Sequence, residues 1–152
     1  MANRPKGFGL TAELEEKRAE KYSLELEQEA RKWIEAVLGN PLNLDVPSDE
    51  PLGPDRLHEA LKDGTILCDL MNMLSPGSCK PSSSKMAFKQ MENIGIFLNA
   101  VQEYDVRSQD CFQTVDLYEK TNMNAVVNTI HALGRKAQSK SYYVPFSSDS
   151  NN

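Results

Sequence analysis

Apolar positions recur at three- and four-residue steps through much of the chain, and no stretch alternates as a strand would. The densest pattern runs from Phe88 to Tyr104. Phe88, Met91, Ile94, Leu98 and Val101 form one stripe, and Gln90, Phe97 and Tyr104 lie on an adjoining one. Apolar residues over so much of a helix's circumference predict burial on several sides, hence a central helix with the others packed round it. A second strong pattern is Leu26, Ala30, Trp33, Ile34, Val37 and Leu38. Ser23 is placed to cap this helix, Gly39 to end it and Pro41 to stop it. Its expected polar face carries Glu27, Arg31, Lys32 and Glu35. A third apolar face, Ile66, Leu67, Leu70, Met73 and Leu74, ends at Ser75-Pro76-Gly77, and a fourth runs from Met123 through Val126, Val127, Ile130 and Leu133 to Ala137, with Asn122 as its cap.

Shorter elements lie between. Asp55 begins a short helix, Arg56 to Lys62, that ends at Asp63-Gly64, and residues 108–118 hold Cys111, Phe112, Val115 and Leu117 in no clean period. A surface helix is expected from Thr11 to about Tyr22, with Glu13 and Lys17 in supporting i, i+4 spacing. Residues 40–54, with four prolines plus Asn, Asp, Ser and Gly, and residues 75–85, rich in Pro and Ser, read as loops. Ser82, Ser83 and Ser84 in the second loop are candidate phosphate acceptors. The fold class is therefore all-α: four main helices, two or three short ones, and a buried central helix. Residues 1–10 read as a flexible arm, 11–138 as one domain and 139–152 as a disordered tail.

A net charge of -5 argues against general nucleic-acid binding, which draws on a basic excess to release counterions. An acidic partner remains compatible with a local basic patch. No run of about twenty apolar residues is present for a membrane span. Cys68, Cys79 and Cys111 are scattered without Cys-x-x-Cys spacing, so neither a zinc knuckle nor a redox pair is expected. Cys68 and Cys111 read as small core hydrophobes, and this usage fits a reducing, cytoplasmic setting.

No catalytic constellation assembles. The acids Asp45, Asp49 and Glu50 lack the alternating spacing, glycine and distal Glu of a calcium loop. Gly7-Phe8-Gly9 lacks the Gly-Lys-Ser/Thr of a phosphate loop. His58 falls on a short surface helix. A Cys111–His131 nucleophile pair has no evident orienting acid or oxyanion hole. The expectation is a binding module, with no catalytic residues, cofactor or metal.

Three segments occur in order: Leu61-Lys-Asp-Gly-Thr-Ile-Leu-Cys-Asp-Leu-Met-Asn-Met-Leu-Ser-Pro-Gly77, Phe88-Lys-Gln-Met-Glu-Asn-Ile-Gly-Ile-Phe-Leu98 and Phe112-Gln-Thr-Val-Asp-Leu-Tyr-Glu119. Together they resemble the calponin homology domain, most closely the single-domain type of calponin and transgelin. Phe8-Gly-Leu-Thr-Ala-Glu13 and Glu27-Gln-Glu-Ala-Arg-Lys-Trp-Ile34 are similar to the same subgroup, so the resemblance spans about residues 8–138.

The resemblance implies a compact helical fold and an actin-associated cytoskeletal protein of actin organisation or contractile regulation, as in muscle. It implies a monomer with F-actin as partner. Actin contacts would fall on the helices Ser23 to Leu38 and Phe88 to Val106, whose outward charges Arg31, Lys32 and Lys89 are the candidate site. After Lys140 this sequence has a Ser/Asn tail where calponin and transgelin carry a basic segment and a repeat, so its own filament binding is expected to be weak. Lone domains of this subgroup also resemble signalling modules that dock kinases.

Overall fold

The structure is a computed structural model that describes residues 22–43 and 45–140. The helix expected from Thr11, the arm at 1–10 and the tail from 141 lie outside those residues.

Local signals set the first helix, α1, Leu24–Leu38. Ser23 Oγ accepts from Leu26 N at 3.0 Å. Gly39 ends the helix in the left-handed region at φ 79°, where a side chain would be strained, and its N–H donates to Glu35 O. Ala30, Trp33, Ile34 and Val37 enter the core.

The other face of α1 departs from the sequence reading. Leu26 is largely exposed, whereas Glu27 and Arg31, expected on the polar face, are both fully buried at 0% exposure. The loop after α1 wraps over them and supplies their partners. Glu27 accepts from Tyr22 Oη at 2.6 Å, Leu52 N at 2.8 Å and Gly53 N at 3.2 Å. Arg31 donates to the carbonyls of Pro47 and Glu50, both at 3.0 Å, and to that of Val46. Its Nε also meets Glu35 Oε2 at 3.0 Å, and Glu35 accepts further bonds from Leu42 N and Ser48 Oγ. Charged groups taken from water need such complete hydrogen bonding to be tolerated. Residues 45–53 are therefore an ordered strap rather than a loose loop.

Pro54 occupies the first turn of α2 (Pro54–Leu61), where its missing N–H costs nothing, and Leu57 and Leu61 point inward. The turn into α3 (Thr65–Leu74) is made by Asp63, whose Oδ1 accepts from both the N and the Oγ1 of Thr65. Gly64 has φ 80°, and a Cβ there would lie 2.6 Å from Asn93 Cβ and 3.0 Å from Ile94 N. The turn thus rests directly on the backbone of α4, Ala87–Glu103.

The buried face of α4 is Asn93, Ile94, Phe97, Ala100 and Val101. It packs most extensively on α3 and, further along, on α5 (Thr114–Tyr118), with Phe97 stacked on Phe112 at 6.1 Å. The expected burial on several sides holds for its middle, where only Glu92 and Asn99 are exposed between Lys89 and Val101. It fails at the first turn, where Phe88 is 56% exposed.

A 3-10 turn, Ser108–Asp110, leads to α5, whose N-terminus is closed by a reciprocal Gln113–Asp116 capping box. Asn122 then caps α6, Met123–Ser139, accepting from Ala125 N at 3.1 Å. The hydroxyl of Thr129, buried on α6, accepts from Phe112 N and lies 2.9 Å from the carbonyls of Asp110 and Ala125. It joins the 3-10 turn to α6. Ser139, assigned above to the tail, is the last residue of α6. Among the described residues there are six α-helices and no strand, and α1 packs chiefly against α3 and α6.

Two predictions follow from the strap. Replacing Arg31 by Ala takes one donor from each of three carbonyls and from Glu35, and costs about 3–5 kcal/mol of unfolding free energy in urea titration. A loss within about 1 kcal/mol would mark Arg31 as an ordinary surface pair.

The second concerns acid. Burial acts to raise the Glu35 pKa, but the bonds from Leu42 N, Ser48 and Arg31 outweigh it, so the net shift is downward. The folded state then holds the carboxylate more strongly than the unfolded state does. That stability is present above the ordinary glutamate pKa of about 4.3 and is lost as pH falls through the folded value. Glu35→Gln should flatten the acid limb of stability against pH. An unchanged limb would remove Glu35 from this role.

Candidate functional site

Sequence reasoning grouped Arg31, Lys32 and Lys89 as one outward basic set. The structure does not bring them together. Arg31 is inside, spent on the strap, and is corrected from a surface contact to a structural residue. Helical periodicity placed it off the apolar face but could not show that a later loop would cover that face. Lys32 is exposed on α1, on the same side as Glu25 and Glu29, which leaves that surface acidic. Lys89 sits on the first turn of α4, with its Nζ 3.3 Å from Glu92 Oε1 and 5.7 Å from the centre of the Phe88 ring.

What surrounds Lys89 was missed. Between Asp69 and Glu92 the chain has no acidic residue but has Lys80, Lys85 and Lys89. Lys80 and Lys85 are exposed. Two large apolar side chains, Met86 at 59% and Phe88 at 56%, are exposed beside them. The available signal was this acid-free window, which stands out in a chain of net charge -5.

The segment is held in place rather than left loose. Asn72 of α3 donates from Nδ2 to Cys79 O at 2.9 Å and accepts from Cys79 N at 2.8 Å. Asn93 of α4 treats Ser82 the same way, accepting from its N and donating to its O, both at 2.9 Å, while also donating to Asp63 O. Ser82 Oγ accepts from Ser84 N, and Ser84 Oγ accepts from Met86 N. Of the three candidate phosphate acceptors only Ser83 is exposed. Two asparagines thus fix the backbone on either side of Lys80, and the α4 helix fixes Phe88 and Lys89. Exposed apolar groups in a segment whose charges are all of one sign suit a protein partner of the opposite sign.

The other candidates carry no comparable arrangement. Cys111 and His131 line a cavity of about 370 Å³ at the start of α1, with Asp110, Asn128 and Arg135. Burial, and then the neighbouring Asp110, push the Cys111 thiol up, and its Sγ lies 3.4 Å from Arg107 O. His131 Nε2 is 2.9 Å from Leu26 O. Neither group is set up as an activated nucleophile or its base. Among the described residues no cluster of His, Cys, Asp and Glu side chains could hold a metal ion, and no helix is long and apolar enough to cross a membrane.

Comparison with known proteins agrees with this helical architecture. The calponin homology (CH) domain family matches residues 24–139. The calponin-homology domain of RNG2 from Schizosaccharomyces pombe is 27% identical, with 85% of this chain and 77% of that one covered and a TM-score of 0.68. The calponin-homology domain of an IQGAP protein from the same organism gives 27% identity, the same coverage and a TM-score of 0.67. Calponin homology domains are binding modules found in actin-binding and signalling proteins. The matched span runs from the first residue of α1 to the last of α6, and the chain belongs to the calponin homology domain family.

Proposed function

We propose that this chain is an actin-filament-associated module, of the calponin and transgelin type, that docks through the Lys80–Lys89 segment and not through Arg31. The observation that carries the reading is the coincidence, on an otherwise acidic protein, of Lys80, Lys85 and Lys89 with exposed Met86 and Phe88. Filament surfaces are acidic, so the lysines would steer the encounter and the two apolar side chains would be the groups desolvated on contact. Lys32 contributes less in this reading, because Glu25 and Glu29 share its face. The chain would act in the cytoplasm, on the cytoskeleton, as a monomer.

A second reading rests on that acidic face. Glu25 and Glu29 on α1 would repel an acidic filament and suit a basic partner, such as a docking segment of a kinase or another regulator. The chain would then serve as a signalling scaffold with little affinity for actin.

Co-sedimentation with filamentous actin at low and physiological salt separates the two. The first reading predicts saturable pelleting that weakens with salt, and a loss of about tenfold or more in affinity when Lys80, Lys85 and Lys89 are reversed to Glu. Pelleting that survives both treatments would place the site elsewhere. No pelleting even at low salt would remove the actin reading and favour the second.

The apolar groups give a separate prediction. Phe88→Ser should weaken pelleting by about tenfold while changing folding stability by no more than about 0.5 kcal/mol, since more than half of the residue is already in water. Full binding by a folded Phe88→Ser variant would leave the lysines as the sole contact.

A further inference from the structure

The structure pairs two cysteines that their sequence spacing kept apart. Cys68 lies on α3 and Cys79 on the segment after it. Asn72 is one helical turn beyond Cys68, on the same face of α3. Its side-chain amide holds the Cys79 backbone by two hydrogen bonds, at 2.8 and 2.9 Å. The Cys79 residue is thereby moored beside the Cys68 side chain.

Both sulfurs then enter the seam between α3 and α4. Cys68 Sγ is 3.5 Å from Asn93 O, and Cys79 Sγ is 3.9 Å from Ile96 O. These carbonyls lie three residues apart on one helix, a rise of about 4.5 Å. Each thiol shifts the other: Cys79 first, and burial second, push the Cys68 thiol up, while Cys68 pulls the Cys79 thiol down. Cys79 retains 4% exposure and Cys68 none.

We infer that Cys68 and Cys79 are a redox pair, able to close an intrachain disulfide that ties α3 to the start of the Lys80–Lys89 segment when the chain meets a peroxide. Cys79, nearer to water, is the sulfur that attacks the peroxide first. An S–O bond forms on Cys79 as the peroxide O–O bond breaks, and one water leaves. The Cys68 sulfur then attacks Cys79; the S–S bond forms, the S–O bond breaks, and the departing hydroxyl leaves as water with the Cys68 proton. Two thiols are oxidised to one disulfide, and one peroxide is reduced to two waters. The third cysteine, Cys111, lies against Arg107 O beside the 3-10 turn and takes no part.

The inference does not depend on the partner proposed above. Its test uses the folded full chain, treated with limiting hydrogen peroxide, alkylated and digested with trypsin. Lys80 precedes Pro81, so both cysteines stay on one tryptic fragment, residues 63–85. The expected result is that fragment lighter by two hydrogens and unalkylated, Cys111 alkylated, and the fragment restored by a dithiol reductant. Three alkylated thiols, a covalent dimer through Cys111, or sulfinic acid on Cys79 with Cys68 still alkylated would each overturn it. In a folded Cys68→Ser variant the reaction should stop at the Cys79 sulfenic acid, trapped by dimedone. A variant that gives no adduct removes Cys79 as the sulfur that attacks the peroxide.

Discussion

Glu27 and Arg31 cannot be buried on α1 unless something returns the hydrogen bonds that water gave them. The strap, residues 45–53, does this with backbone groups: three carbonyls for the guanidinium and two N–H groups for the carboxylate. The dependence runs both ways. Those backbone groups, turned inward, need the two charged side chains as much as the side chains need them. A proline-rich connection that could have been loose is thereby fixed against the helix, and it delivers Pro54 to the start of α2. Leu52 and Val46 are buried as a consequence of this wrapping.

A second use of the same device holds the other half of the domain. Asn72 and Asn93 each present an amide that pairs with both backbone groups of one residue, Cys79 and Ser82 respectively. Asn93 also reaches Asp63 O, at the turn where Gly64 leaves room for the α4 backbone. The segments that carry the family resemblance, Lys62-Asp63-Gly64 and Glu92-Asn93-Ile94, are therefore the two sides of one joint. Asn93 thereby helps to set how the segment carrying Lys80 and Lys85 is presented, while Asn72 separately moors Cys79 to α3.

Charge explains why the candidate surface is local. The exposed side of α1 is dominated by glutamates, so Lys32 does not make it basic. The stretch from Lys80 to Lys89 has no acid of its own, and Glu92, one turn on, pairs with Lys89. Attraction between exposed charges fades over about 8 Å at physiological salt, so such a segment acts on a partner at close range more than through the field of the whole molecule.

The sequence by itself determined the helices. Ser23, Gly39 and Asn122 mark ends that the structure keeps, because caps are local and depend on a few neighbouring dihedrals. The all-α class and the family were equally legible, since apolar spacing and the ordered motifs are properties of the chain alone. Tertiary structure decided what periodicity cannot encode. Arg31 and Lys32 are adjacent in sequence, yet the strap covers one and leaves the other in water. Phe88 opens the central apolar pattern but projects beyond the neighbours that bury Phe97. Cys68 and Cys79 share the seam against α4 because Asn72 and Ser78 hold the following segment back onto α3. In each case the outcome depends on which distant backbone arrives to satisfy or cover a side chain, and that is fixed by the assembled helices rather than by local spacing.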